Sequence, residues 1–150
     1  QSAKDNFSER TKDYARRVIH LYSAFPKAAV AQVLGHQLLR SGTSAGANYR
    51  EASRARSKPE FISKLGNSLK ELGESEYWLE LLSEEKVLPP SRLQPLLQET
   101  SELITLFVPS IKTTGTKQRG AAKVPVFATH RSKISISKIM SKILVTGGFG

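Results

Sequence analysis

Between Phe7 and Ile111 the apolar residues recur at helical spacing in four blocks, and short turn signals separate the blocks. The first block runs from about Asn6 to Phe25, with Phe7, Tyr14, Val18, Leu21 and Phe25 three, four or seven apart. Asp5 or Asn6 is placed to cap it, and Pro26 ends it. The second runs from about Lys27 to Arg56, with the expected inner line Val30, Leu34, Leu38, Ser41, Ala45, Asn48, Ala52 and Ala55. In the third, Ser57 and Glu60 form the two ends of a capping box, and Phe61, Leu65, Leu69, Leu72, Leu79 and Leu82 make a stripe that breaks near Gly73–Glu76. Pro89-Pro90 leads to a fourth helix capped by Ser91, with Pro95 near its first turn and Leu93, Leu96, Leu97, Leu103, Ile104, Phe107 and Ile111 on its inner side. Short connections favour antiparallel neighbours, so the expected fold is all-α, an up-down-up-down four-helix bundle.

The inner line of the second helix changes character along its length. It starts with leucine and valine and turns small and polar from Arg40 to Ala52. Gly35, Gly42 and Gly46 each cost about 1 kcal/mol against alanine in a helix interior, which predicts close helix approach or a kink near Ser41–Gly46. The polar residues predict a structural seam of Arg40, Ser41, Ser44, Asn48, Glu51, Glu71 and Glu74, with Lys70 as a further partner, because a buried amide or carboxylate is costly unless paired. Such a seam can set register and assembly.

The chain of 150 residues carries a net charge of +10, but the charge is uneven. Residues 1–110 hold 15 Lys+Arg and 13 Asp+Glu, a net +2, whereas residues 111–150 hold 8 Lys+Arg and no acid. The expected organisation is a bundle over 1–112 and a basic, irregular, poorly ordered tail over 113–150. Within the bundle, Arg50, Arg54, Arg56, Lys58 and Lys64 gather around the second turn and form the candidate nucleic-acid patch, with Tyr49 nearby as a stacking ring. Tyr77 and Trp78 are expected in the core or a subunit interface.

Several chemistries find little support. There is no cysteine, so thiolate metal sites, disulfides and cysteine nucleophiles are excluded, and a reducing cytoplasm suits the chain. No apolar run is long enough to span a bilayer. Di-metal carboxylate bundles need Glu-x-x-His pairs, and none occurs, so no metal is expected; His20 and His36 are read as surface or interface residues. Gly42-Thr-Ser-Ala-Gly46 matches the letters of a nucleophile elbow around Ser44, but the strand-turn-helix context is missing. No catalytic residue and no cofactor are expected.

The runs Leu39-Arg-Ser-Gly-Thr-Ser-Ala-Gly-Ala-Asn-Tyr-Arg-Glu-Ala52, Glu60-Phe-Ile-Ser-Lys-Leu-Gly-Asn-Ser-Leu-Lys-Glu71 and Glu76-Tyr-Trp-Leu-Glu-Leu-Leu82 resemble the four-helix-bundle proteins encoded in intervening sequences of bacterial 23S ribosomal RNA genes. The resemblance spans about residues 6–112. A relative of that family is the accessory variability determinant of diversity-generating retroelements, a basic pentameric bundle that binds a reverse transcriptase and RNA. The resemblance implies a homopentamer, no enzymatic activity, and binding to RNA or a ribonucleoprotein; the alternative is a protein-binding adaptor. Unlike a strongly basic relative, the bundle here is close to neutral. Separately, Met140-Ser-Lys-Ile-Leu-Val-Thr-Gly-Gly-Phe-Gly150 resembles the start of a nucleotide-sugar epimerase or short-chain dehydrogenase. It stops before the helix and acidic ribose ligand that dinucleotide binding needs, so it reads as a read-through or gene-model extension with no enzymatic role.

Overall fold

The computed structural model describes residues 3–116. They form an antiparallel bundle of α1 (Ala3–Ser23), α2 (Ala29–Ser53), α3 (Lys58–Glu84) and α4 (Pro90–Thr116). Each helix packs on the next, and α1 meets α4 to close the ring. One end of the bundle therefore holds the start of α1, the α2–α3 turn and the end of α4. The other holds the α1–α2 and α3–α4 turns. The expectations that rest on residues 117–150, including most of the tail and the epimerase-like ending, lie outside the described residues.

The core has three zones. At the α2–α3 turn end, Phe7, Tyr49 and Phe107 pack their rings together, with centroids 5.2–5.8 Å apart. At the opposite end Tyr22 and Phe25 pair at 5.6 Å. Between them lie the leucines, with Leu38, Leu72, Leu79, Leu82, Leu93 and Leu103 fully buried. Burying a leucine stabilises by about 1.5–3 kcal/mol, so these stripes dominate the fold's energetics.

The local signals act largely as their chemistry requires. Ser57 caps α3, its hydroxyl accepting from the Glu60 N–H at 3.2 Å. The return arm of the box reaches one residue further back, with the Arg56 N–H donating to Glu60 Oε2 at 3.0 Å. α3 ends in a Schellman arrangement: Val87 N–H bonds Leu82 O, and Lys86 N–H bonds Ser83 O. Lys86 occupies the left-handed position, φ 53°, where glycine is usual.

Some boundaries differ from expectation. α1 starts at Ala3, ahead of both proposed caps. Ser91 lies inside α4, which begins at Pro90, with Arg92 N–H bonded to Pro89 O. α4 also runs through Thr116, past the linker expected from Thr113, and holds both Pro95 and Pro109. A proline within a helix removes one hydrogen bond, and here the buried Leu96, Leu103 and Phe107 face offsets that loss. α3 stays helical through Gly73–Glu76, where the buried Gly73 and Ser75 interrupt its leucine stripe. Ala55 falls in the turn beyond α2.

α2 also runs without interruption through Ser41–Gly46, so its glycines mark close approach rather than a kink. A Cβ on Gly35 would lie 2.6 Å from the Phe25 ring, and one on Gly42 2.9 Å from Val18 Cγ2. The glycine edge of α2 thus faces α1. Gly66 on α3 has open space around its Cβ position. Gly66→Ala is therefore expected to stabilise the fold by about 1 kcal/mol, the helix-propensity gain alone. Gly35→Ala makes the same gain but overpacks a buried ring, at about 1–3 kcal/mol, and is expected to lower the melting temperature. Thermal denaturation of the two variants side by side checks the opposite signs.

Candidate functional site: the basic turn and the polar layer

The basic residues flank the turn from α2 to α3. Arg50 lies in the last turn of α2, Arg54 and Arg56 in the connection, and Lys58 at the first residue of α3. Arg50, Arg54, Arg56 and Lys58 are all exposed. None of their side chains is engaged in an ion pair among the described residues, whereas Arg10 and Arg40 elsewhere in the bundle are paired. Arg10 is the contrast: it grips Glu99 through two nitrogens at 2.9–3.1 Å and reaches Glu102 at 3.1 Å. Lys64 differs from its four neighbours because it pairs with Glu51. The hydrogen bond to Glu51, then its charge, holds the Lys64 ammonium above its ordinary pKa. Tyr49 is buried against Phe7 and Phe107, so its ring is not a free stacking platform.

The expected polar seam divides in two. On the surface, Arg40 bridges to Glu71 at 3.1 Å and to Glu74. Desolvation works against the Arg40 charge, but the two carboxylates outweigh it and raise its pKa. Inside, Ser41 meets Ser75 at 2.8 Å, and Ser68 donates to the Ala45 carbonyl at 2.6 Å. Ser41, Ser68 and Ser75 are fully buried.

Three expected members lie elsewhere. Glu51 is exposed and holds Lys64 across the surface. Asn48 is half-buried and turns back on its own helix, its Nδ2 donating to Ser44 O at 3.0 Å. That bond engages one N–H of the amide within its own helix, so Asn48 does not bind across the seam. Ser44 contributes only this carbonyl among the bonds that concern the seam. Lys70 is exposed and joins no seam contact among the described residues. Val30, expected on the inner line, is 63% exposed, because Ala31 and Gly35 carry the first two turns of that line one position later, and it rejoins the expected one at Leu38.

The interior layer extends through residues that the sequence did not single out. Tyr14 on α1 meets Thr100 on α4 at 2.8 Å, both without solvent exposure. Burial pushes the Tyr14 phenol up to about 12, against the hydrogen bonds of Thr100 and Ser75 that favour its ionised form. All four helices thus place a hydroxyl in mid-core. A serine or threonine on a leucine stripe reads like any solvated hydroxyl until the packing is known. On the rim, burial raises the Glu76 carboxyl pKa; the Ser101 hydroxyl, donating at 2.9 Å, pulls it back, and Glu80 pushes it up further. The folded-state pKa lies above the unfolded one, so this group weakens the fold as pH rises through that interval. Glu76→Gln keeps an acceptor for Ser101 and is expected to raise stability at neutral pH, with the gain vanishing below about pH 4, where the unfolded carboxyl is also protonated. Urea denaturation of both proteins at several pH values checks the sign.

Ser44 sits within continuous helix, flanked by Gly42, which packs on Val18, and Gly46, which abuts the Thr11 backbone. The strained turn of a nucleophile elbow is not formed there. His20 and His36 are exposed, and His36 lies over Tyr22 with centroids 5.5 Å apart. Among the described residues no three His, Cys, Asp or Glu side chains gather as a metal site, and no helix is long and apolar enough to cross a membrane.

Residues 4–108 match the family model described as 23S rRNA-intervening sequence protein. The chain belongs to that family. A crystal structure of a protein of unknown function from the S23 ribosomal protein family, from Bacteroides thetaiotaomicron VPI-5482, superposes with a TM-score of 0.68 at 36% identity, covering 73% of this chain and 97% of that one. No functionally curated protein matches the sequence. The family membership accounts for the four helices as a unit and places the basic α2–α3 turn inside the matched region.

Proposed function

We propose that this intervening-sequence protein is a non-enzymatic, oligomeric binding or scaffold protein of the bacterial cytoplasm, and that RNA or a ribonucleoprotein is its partner. The observation that supports this reading is the set of four exposed cations, Arg50, Arg54, Arg56 and Lys58, gathered without ion-pair partners around one turn of the bundle. Evenly solvated surface charge is normally interleaved with the opposite sign. Here Glu51 and Glu60 are the acids at the turn, while the other acids of α3, Glu71, Glu74, Glu76, Glu80 and Glu84, lie toward its far end. The ring of five that the resemblance implies would repeat the basic turn and raise the local potential.

Binding of the full chain to a single-stranded RNA across a salt series tests this. Arg50→Ala/Arg54→Ala/Arg56→Ala is expected to weaken binding and to flatten the log–log salt slope by about 2, at roughly 0.7 per lost phosphate contact. A variant ending at Thr116 separates the turn from the basic tail. If the triple variant binds like the parent and the truncated chain does not bind, the turn is not the site. A second reading, a protein adaptor, is favoured by the exposed Val30, Val33 and Tyr77. Specific capture of a protein partner by a chain that ignores RNA at every salt concentration would select it.

A further inference from the structure

Lys64 is the cation of the basic end that is tied down. Ser41 facing Ser75 and Ser68 bonded to the Ala45 carbonyl fix the antiparallel register of α2 and α3, and that register sets Lys64 level with Glu51. Arg54 follows Glu51 by three residues on α2, about 4.5 Å further along the axis, and Lys58 precedes Lys64 by six on α3, about 9 Å. Lys64 therefore stands at the edge of the cluster formed by Arg50, Arg54, Arg56 and Lys58. Its ammonium is nevertheless drawn across the groove to the Glu51 carboxylate.

The two acids at this end have different roles. Glu60 builds the turn: its Oε2 accepts from the Arg56 N–H at 3.0 Å, and its own N–H is capped by Ser57 at 3.2 Å. Glu51 takes no part in that cap. Its side chain is 57% exposed and that of Lys64 35%, and an ion pair this open to water adds little to folding. The pair instead neutralises a cation beside four that are unpaired. A phosphate oxygen and the Glu51 carboxylate make the same demand on that ammonium. A phosphate brought to Lys64 also meets the Glu51 charge at close range, where like charges repel.

We propose that Glu51 competes with RNA phosphate for Lys64 and so limits how many phosphates the α2–α3 turn engages. The inference rests on the RNA reading above and names the residue that sets the strength of that site. With Glu51 in place, the turn holds a strand through Arg50, Arg54, Arg56 and Lys58. With its charge removed, Lys64 becomes a fifth contact. The carboxylate thus keeps binding weaker than the five cations together would make it.

The test measures binding of full-length Glu51→Gln, Lys64→Gln and the double variant to a single-stranded RNA across a salt series, beside the parent. Glu51→Gln keeps the side-chain shape and loses the charge. It is expected to bind about two- to five-fold more tightly, the range of an exposed pair, and to steepen the log–log salt slope by about 0.7, one added phosphate contact. Lys64→Gln is expected to keep the parent's slope, and the double variant to lose the added steepness. Glu84→Gln makes the same charge change about 30 Å along α3 and is expected to bind like the parent. Circular dichroism and melting check that all the variants fold alike. A parent that binds RNA at no salt concentration overturns the RNA reading and this inference with it. A parent whose binding falls in the triple-arginine variant, with Glu51→Gln unchanged, overturns this inference alone. So does a steeper slope that persists in the double variant, a flatter slope in Lys64→Gln, or an equal gain in Glu84→Gln.

Discussion

Phe107→Ala is expected to destabilise the bundle by about 3–5 kcal/mol, the range for removing a buried phenyl ring. Phe107 is 1% exposed and holds Phe7 and Tyr49 at 5.2 Å and 5.5 Å. It is the point where α4 is fastened to α1 and α2 at the basic end. Its loss removes two aromatic contacts of about 0.5–1.5 kcal/mol each and leaves a cavity that three rigid helices cannot collapse into. Chemical denaturation should show a lower midpoint with an unchanged slope. A loss below about 1 kcal/mol would mean that the end of α4 is not docked as described. Any loss of RNA binding in this variant would need comparison at a temperature where both proteins are folded.

Thr100→Val is expected to cost about 1–3 kcal/mol although it keeps side-chain shape. The Thr100 hydroxyl has one proton, and it goes to the Leu96 carbonyl at 2.6 Å. Tyr14 must then donate in the 2.8 Å contact between the two hydroxyls. Valine at position 100 removes that acceptor and leaves the buried phenol dependent on Ser75. Adding Tyr14→Phe removes the stranded donor, so the double variant is expected to be less unstable than the sum of the singles by about 1 kcal/mol or more. Denaturation of all four members of the cycle measures the coupling. Strict additivity would show that the contact contributes nothing. The other half of the layer follows the same proton accounting. Ser75 donates to Glu71 O at 2.9 Å, so Ser41 is the donor in their 2.8 Å contact, its proton shared with the longer 3.3 Å approach to the Leu38 carbonyl.

Helices were legible because their signals are local. The spacing of Tyr14, Val18 and Leu21, the Ser57–Glu60 cap and the Pro26 and Pro89 breaks act within a few residues of themselves. The link from Arg40 to Glu71 and Glu74 was also within reach, since antiparallel neighbours joined by a short turn restrict which residues can meet. The seam as a whole was harder. Asn48 bonded within its own turn and Glu51 stayed in solvent, while Ser68, Ser75 and Thr100 were buried on stripes that read as leucine helices. A hydroxyl carries the same letter in solvent and in the core. Gly35 and Gly42 announced a close approach without saying to which neighbour.

The order of residues alone determined that this chain makes four helices with short connections, and that its folded part is nearly neutral with a basic cluster at the second turn. Those properties depend on spacing, caps and charge counts within one segment. Only the tertiary structure decided which edge of α2 meets α1 and which meets α3, where the hydroxyls of four helices join, and which cations remain unpaired. A helix of given sequence can rotate about its axis at small local cost. Its rotation is set by side chains on neighbouring helices, far away in the chain.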